Sequence, residues 1–212
     1  MTTLVEVLGI VAASLKDRAD ELNRLDGEAG DGDLGVTVTT AGEAVNRLLP
    51  TLEGKGLADV LNACGITIAR EAPSTSGTLL ATGLMGAARA ASQSSSSGAA
   101  ELAELLDASQ ASIAKRGKAE PGWKTMLDAL VPAAQAATTS AHEGASLLEA
   151  LDAAAAAADR GAHATRSMVP RLGRAGWLPE RSAGHEDAGA RMVAIILLAA
   201  SEATGRLGAP GR

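Results

Sequence analysis

Between Asp152 and Asp159 the chain is unbroken alanine, six residues from Ala153 to Ala158. A strand of that composition has no side chains with which to hold a sheet face. A helix of alanine is intrinsically favoured and lets its neighbours approach closely. The rest of the sequence follows the same preference. It contains no Phe, no Tyr and only two Trp, the residues that with β-branched ones build strands. Ala, Leu, Glu and Arg, all strong helix formers, are common. These features predict an all-α protein with small side chains between tightly packed helices.

Apolar spacing and punctuation divide the chain into eight predicted helices. Leu4, Leu8, Val11, Leu15 and Leu22 form a helical stripe over 3–23, with Thr3 and Glu6 spaced as a capping box. Further helices are expected over 36–49, 57–70, 78–91, 100–115, 124–137, 146–168 and 187–207. Pro132 inside the sixth implies a kink. The length of 212 residues suits one domain, 1–212. The Ser-rich stretch 92–98 reads as a mobile linker inside that domain, because similar helical patterning resumes after it.

The formal net charge of -6 leaves no basic footprint for nucleic acid. The longest strongly apolar run, Val193 to Ala200, is far shorter than the roughly 20 residues of a membrane span. The N-terminus lacks the basic start of a signal peptide. The lone cysteine, Cys64, lies in an apolar stretch and reads as a core residue. The expectation is a cytoplasmic protein that binds neither membrane nor nucleic acid.

The most informative segment is Leu25-Asp26-Gly27-Glu28-Ala29-Gly30-Asp31-Gly32-Asp33-Leu34-Gly35. Asp26, Asp31 and Asp33 fall within eight residues. Carboxylates this close repel one another unless a cation neutralises them. The glycines let the backbone turn tightly enough for all three to face one point. An all-oxygen set without Cys or His suits Mg²⁺ or Ca²⁺. The alternative is a solvated acidic turn that caps the next helix. Gly30-x-Gly32-x-x-Gly35 matches the dinucleotide fingerprint in letters only, since no strand precedes it and two Asp would face the pyrophosphate. The EF-hand pattern is broken, and no Walker A sequence is present. A metal site that bridges to phosphates is the reading that survives best.

The loop resembles that of the L subunit of dihydroxyacetone kinases, where Asp-x4-Asp-Gly-Asp holds two Mg²⁺ ions against nucleotide phosphates. The similarity continues in order along nearly the whole chain. It takes in Thr75-Ser76-Gly77, then Arg116-Gly117-Lys118-Ala119-Glu120-Pro121-Gly122, then Lys124-Thr125-Met126-Leu127-Asp128. It ends with Gly161-Ala162, Thr165, Met168, Gly173-Arg174-Ala175, Glu180-Arg181-Ser182, Gly184-His185 and Asp187-Ala188-Gly189-Ala190. The resemblance implies an eight-helix antiparallel barrel with ADP or ATP bound in the loops at one end. It implies Asp26, Asp31 and Asp33 as magnesium ligands. It implies Leu34, Gly35, Val36, Thr37, Thr75, Ser76, Gly117, Met126, Arg174, Asp187, Ala188 and Gly189 as nucleotide contacts, with Arg174 also catalytic. The chemistry is compatible. Ser76 is expected to start a helix, where free N–H groups suit phosphate. Arg174 offers a fork of donors, and Met126 a polarizable apolar surface.

The implied function is a magnesium-dependent phosphotransferase subunit that works with a separate, ketone-binding K subunit and is inactive without it. Kinase action on another short ketose, a polyol or a fatty-acyl group is an alternative, as is a nucleotide-binding regulatory module without turnover. A phosphotransferase-system phosphodonor protein and a second copy of the chain stay open as further partners. Four positions depart from the usual pattern: Leu34 for His, Trp123 for Asp, Pro179 for Gly and Ala188 for Pro. Trp123, a large aromatic in a loop, is expected either to anchor the partner or to pack over the local helix start. His142 and His163 read as solvent-facing or structural, and His185 as orienting the last loop.

Overall fold

The computed structural model describes residues 4–172 and 179–208, and every regular element among them is helical. The α-helices are α1 (Leu4–Asp17), α2 (Ala19–Gly27), α3 (Leu34–Leu48), α4 (Leu57–Glu71), α5 (Thr75–Gln93), α6 (Ala99–Gly117), α7 (Leu127–His142), α8 (Leu147–Ala164) and α9 (Ala188–Gly208). Short 3-10 turns occupy Leu49–Thr51, Thr165–Ser167 and Pro179–Ser182. Thr3 and Arg174 lie outside the described residues.

The long helices form a closed ring. α1 packs on α3, each helix from α3 to α8 packs on the next, and α9 returns to α1. Short connections make the neighbours antiparallel, so the starts of α3, α5, α7 and α9 share one end of the barrel. α2 lies at that end, against α3 and α9. Eight rods were expected and nine α-helices are found among the described residues, because the first is broken. The Arg18 amide donates to the Leu15 carbonyl at 3.2 Å, a tight turn that ends α1. α2 then runs to Gly27, beyond the expected end at 23.

Small residues set the spacing. Of the six successive alanines, Ala154, Ala155, Ala157 and Ala158 are buried, and Ala154, Ala155 and Ala158 belong to the main core. That core joins Leu127, Leu130, Ala133 and Ala137 of α7 to Met192, Val193 and Leu197 of α9, and reaches Leu22 and Leu34. Fully burying an aliphatic side chain contributes about 1.5–3 kcal/mol. A second cluster of Ala41, Val60, Cys64 and Ile68 joins α3, α4 and α5. Length and mean hydropathy, 1.3, would let α9 cross a membrane, but 56% of that window is buried in the fold. The 94–98 turn has hydrogen bonds of its own: the Ser96 amide donates to Ser94 Oγ at 2.9 Å and Ser96 Oγ to Glu104 at 2.6 Å.

Candidate functional site

The acidic segment spans the end of α2 and the turn into α3. Carboxylate oxygens of Asp26, Asp31 and Asp33 lie within 4.8 Å of one another, with Asp26 half-buried and the other two exposed. Asp33 holds the N-cap position of α3, yet its side chain makes no cap hydrogen bond. The turn is therefore not a capping device for Asp33, whose carboxylate is directed to the cluster. Asp26 takes the donors instead. Its Oδ2 accepts from the Asp33 amide at 3.0 Å. Burial pushes the Asp26 carboxyl above the ordinary carboxylate range, as does the charge of Asp31, while the amides of Asp33, Gly32 and Leu34 oppose the rise. Three oxygen donors in this arrangement, with two facing solvent, fit a hard divalent cation that keeps open positions for phosphate oxygens.

The start of α3 is drawn onto α2 by a close approach. The Gly35 amide donates to Asn23 Oδ1 at 2.6 Å. A Cβ at position 35 would stand 2.0 Å from the Ala19 carbonyl oxygen, so only glycine fits. Thr37, one turn further, is buried and donates to Ser74 Oγ at 3.1 Å, which ties α3 to the start of α5. Ser74 is the N-cap of α5, accepting from the Gly77 amide at 3.0 Å. The expected helix start at Ser76 thus moves two residues earlier. Thr75 and Ser76 occupy the first turn, where amides have no intrahelical acceptor and attract anions. Val36 points outward, 59% exposed, whereas Leu34 is buried in the main core. What Leu34 can offer a ligand is therefore its backbone.

On the other side of the same end, the turn before α7 meets the start of α9. A Cβ on Gly189 would lie 3.3 Å from Met126 Cβ and 3.1 Å from Asp187 Oδ2. Met126 is largely buried beneath this contact and belongs to the main core. It backs the site more than it lines it. Asp187 caps α9 by accepting from the Ala190 amide at 2.7 Å, and its own amide donates to Thr165 Oγ1 at 2.8 Å. Burial pushes the Asp187 carboxyl up to about 7, and the charges of Asp128 and Asp26 add to the rise. The Ala190 amide and the Lys124 ammonium oppose it. The 181–185 stretch touches the acidic turn: Arg181 Nη2 donates to the Gly27 carbonyl at 3.1 Å, and His185 Nε2 lies 3.9 Å from Glu28 Oε2. Gly117 ends α6 beside Leu79 of α5.

The pattern of the DAK2 domain matches residues 28–202 of this chain. The chain belongs to the DAK2 domain family. It is 35% identical over 188 residues to the ADP-binding subunit DhaL of the PEP-dependent dihydroxyacetone kinase of Escherichia coli, covering 87% of this chain and 90% of that one. It is 38% identical to a D-erythrulose kinase of Mycolicibacterium smegmatis, covering 87% of this chain but 32% of that protein. Among solved structures, the dihydroxyacetone kinase of C. freundii superposes with a TM-score of 0.76 at 28% identity, covering 95% of this chain and 34% of that one. The same kinase in complex with AMP-PNP and Mg²⁺ gives a TM-score of 0.75 at 27% identity. This DAK2 domain thus spans nearly the whole of the bacterial subunit and about a third of the longer kinases.

Several residues that build this end of the barrel make contacts that the sequence alone does not show. Asp128 is buried, and its carboxylate accepts from the amides of Gly122 and Thr125. It thereby folds 122–125 into a turn and delays α7 to Leu127, three residues after the expected start. Glu186 is buried beside Asp187, with Arg191 Nη2 at 2.5 Å and both His163 Nδ1 and Arg166 Nη2 at 2.9 Å. The latter two are close enough for ion pairing but off-angle for hydrogen bonds. Arg191 also reaches Asp159 at 2.6 Å, so the end of α8 is fixed to the start of α9. Trp123 is half-buried at the rim, with the Arg171 guanidinium 5.9 Å from its ring centroid.

Proposed function

We propose that this chain is the nucleotide-binding, magnesium-dependent subunit of a dihydroxyacetone-type kinase, acting with a separate K-type subunit that binds the ketone. The observation that carries this reading is the acidic cluster of Asp26, Asp31 and Asp33 at the same barrel end as the starts of α3, α5 and α9. The printed names of the relatives, an ADP-binding kinase subunit and an AMP-PNP and Mg²⁺ complex, support it. Magnesium held by the three carboxylates, as one ion or two, would supply charge neutralisation for the phosphates. The first-turn amides of Val36 in α3 and of Thr75 and Ser76 in α5 would orient the phosphate oxygens, while those of Gly35 and Gly77 serve Asn23 and Ser74. Asp187, Ala188 and Gly189 would form the opposite wall, and Arg174 would contribute a cationic fork to the transferring group. Such catalysis rests on positioning and needs no protein nucleophile.

The D-erythrulose kinase relative supports a second substrate class, a four-carbon ketose held by the same kind of partner. Reconstitution tests both. The pure chain with ATP, or with a phosphorylated phosphotransferase-system protein regenerating bound ADP, should give no sugar phosphate. Adding a K-type subunit should start turnover of dihydroxyacetone or erythrulose. Robust phosphorylation by the chain alone contradicts the division of labour.

A further inference from the structure

Lys124 is buried, 5% exposed, in the turn that leads into α7. Its backbone adopts φ 60, a left-handed conformation that is strained for a residue with a Cβ. Burial also disfavours its charge, and the attraction of Asp187 offsets this only in part. Costs of this kind persist only where tertiary contacts hold the residue in place. The contacts are specific. The ammonium donates to the Ser182 carbonyl at 2.6 Å and to the Met168 carbonyl at 3.4 Å. These carbonyls belong to two separate stretches, the one leaving α8 and the one approaching α9.

We propose that Lys124 is a positioning residue of the nucleotide site, the cross-tie that holds the 122–126 turn, the 165–168 turn and the 182–187 stretch in one arrangement. The proposal rests on the nucleotide-binding reading above. Each stretch it joins delivers a site group. The first carries Met126, against which Gly189 packs. The second carries Thr165, whose hydroxyl receives the Asp187 amide. The third ends at Asp187 itself, after a turn in which the His185 amide donates to the Ser182 carbonyl at 3.2 Å. The Gly184 amide also donates to the Arg166 carbonyl at 3.2 Å, so the second and third stretches are already joined to each other. Lys124 adds a side-chain link from both to the start of α7, beside the bond from the Arg171 amide to the Trp123 carbonyl at 3.3 Å. A lysine that served phosphate directly would present its ammonium to solvent. This one is enclosed and directed at protein carbonyls, so it acts through the residues it holds.

The test compares wild type, Lys124→Met and Lys124→Arg by calorimetry with ADP and Mg²⁺, alongside the melting temperature of each. Removing a charge-assisted tie costs a factor of about ten or more. Lys124→Met should lose ADP affinity on that scale while still folded at the temperature of measurement, and Lys124→Arg should recover most of it. A lysine that served stability alone would lower the melting temperature and leave the affinity of the folded chain unchanged. That result overturns the proposal. Hydrogen exchange on the wild-type chain tests it even if Lys124→Met does not fold. ADP with Mg²⁺ should protect 122–126 and 182–187 together, and protection of one stretch without the other overturns the cross-tie. If wild type binds no ADP at all, the nucleotide reading itself fails and takes this proposal with it.

Discussion

Asp187 shows how one residue couples the fold to its site. Its carboxyl stands at about 7, against 3.8 for an ordinary aspartate, chiefly because it is buried. The folded chain therefore holds this proton more tightly than the unfolded chain does. Its contribution to stability is full below pH of about 4 and is lost as pH rises to about 7. Asp187→Asn keeps a competent cap for α9 and removes the titration. Without nucleotide or metal, the variant should melt higher than wild type at pH 8 and match it near pH 4. Equal melting temperatures at both would show that Asp187 ionises freely in the fold. The clustering of Asp26, Asp31 and Asp33 was legible at this scale because the three are close in sequence and separated by glycine. Lys124, Asp128 and Glu186 were not, because their roles come from burial and from partners 58, 6 and 5 residues away.

Helices were read from apolar spacing more securely than their ends. The capping box of Ser146 and Glu149 forms at the start of α8. At α5, three hydroxyl residues follow Pro73, and sequence offers no ground for choosing among them. The choice falls on Ser74, whose Oγ accepts from the Gly77 amide and from the Thr37 hydroxyl. At α7, Pro132 has no N–H for the Asp128 carbonyl, which faces Gly161 of α8 instead. A Cβ at position 161 would stand 2.2 Å from that oxygen. Gly161→Ala must push α7 and α8 apart, at a cost of about 1–3 kcal/mol. Because the Asp128 side chain also shapes the 122–125 turn, ADP affinity should fall with stability. Chemical denaturation and calorimetry on the same variant check this, and unchanged values in both would mean that the helices have room to spare.

At the scale of the whole molecule, a closed ring of antiparallel helices brings loops far apart in sequence to one end. Alternate loops of an antiparallel bundle gather at one end, and the family resemblance, not the helix pattern, led to the expectation of a nucleotide there. The break between α1 and α2 was not legible, because Leu15 and Leu22 continue one apolar stripe across it. In the proposed function, a phosphoryl acceptor would approach nearly in line with the donor and with water largely excluded, so a partner would cover this end. Trp123 stands at its rim with Arg171 against the ring. Trp123→Ala should leave ADP affinity within a few-fold and weaken association with a K-type subunit by about 2 kcal/mol, the hot-spot scale. Collapse of ADP binding with unchanged association would assign Trp123 to the nucleotide pocket.

The central claim is that Asp26, Asp31 and Asp33 bind nucleotide through magnesium. Calorimetric titration of the chain with ADP, in Mg²⁺ and again with a chelator, tests it most directly, with Asp33→Asn in parallel. Removing a partner that merely orients a metal ligand costs about 10–100-fold in affinity or activity, and a direct ligand should cost at least as much. Binding that needs Mg²⁺ and is lost on that scale in Asp33→Asn is the expected result. Equal ADP affinity with and without chelator, in wild type and variant alike, would contradict the account.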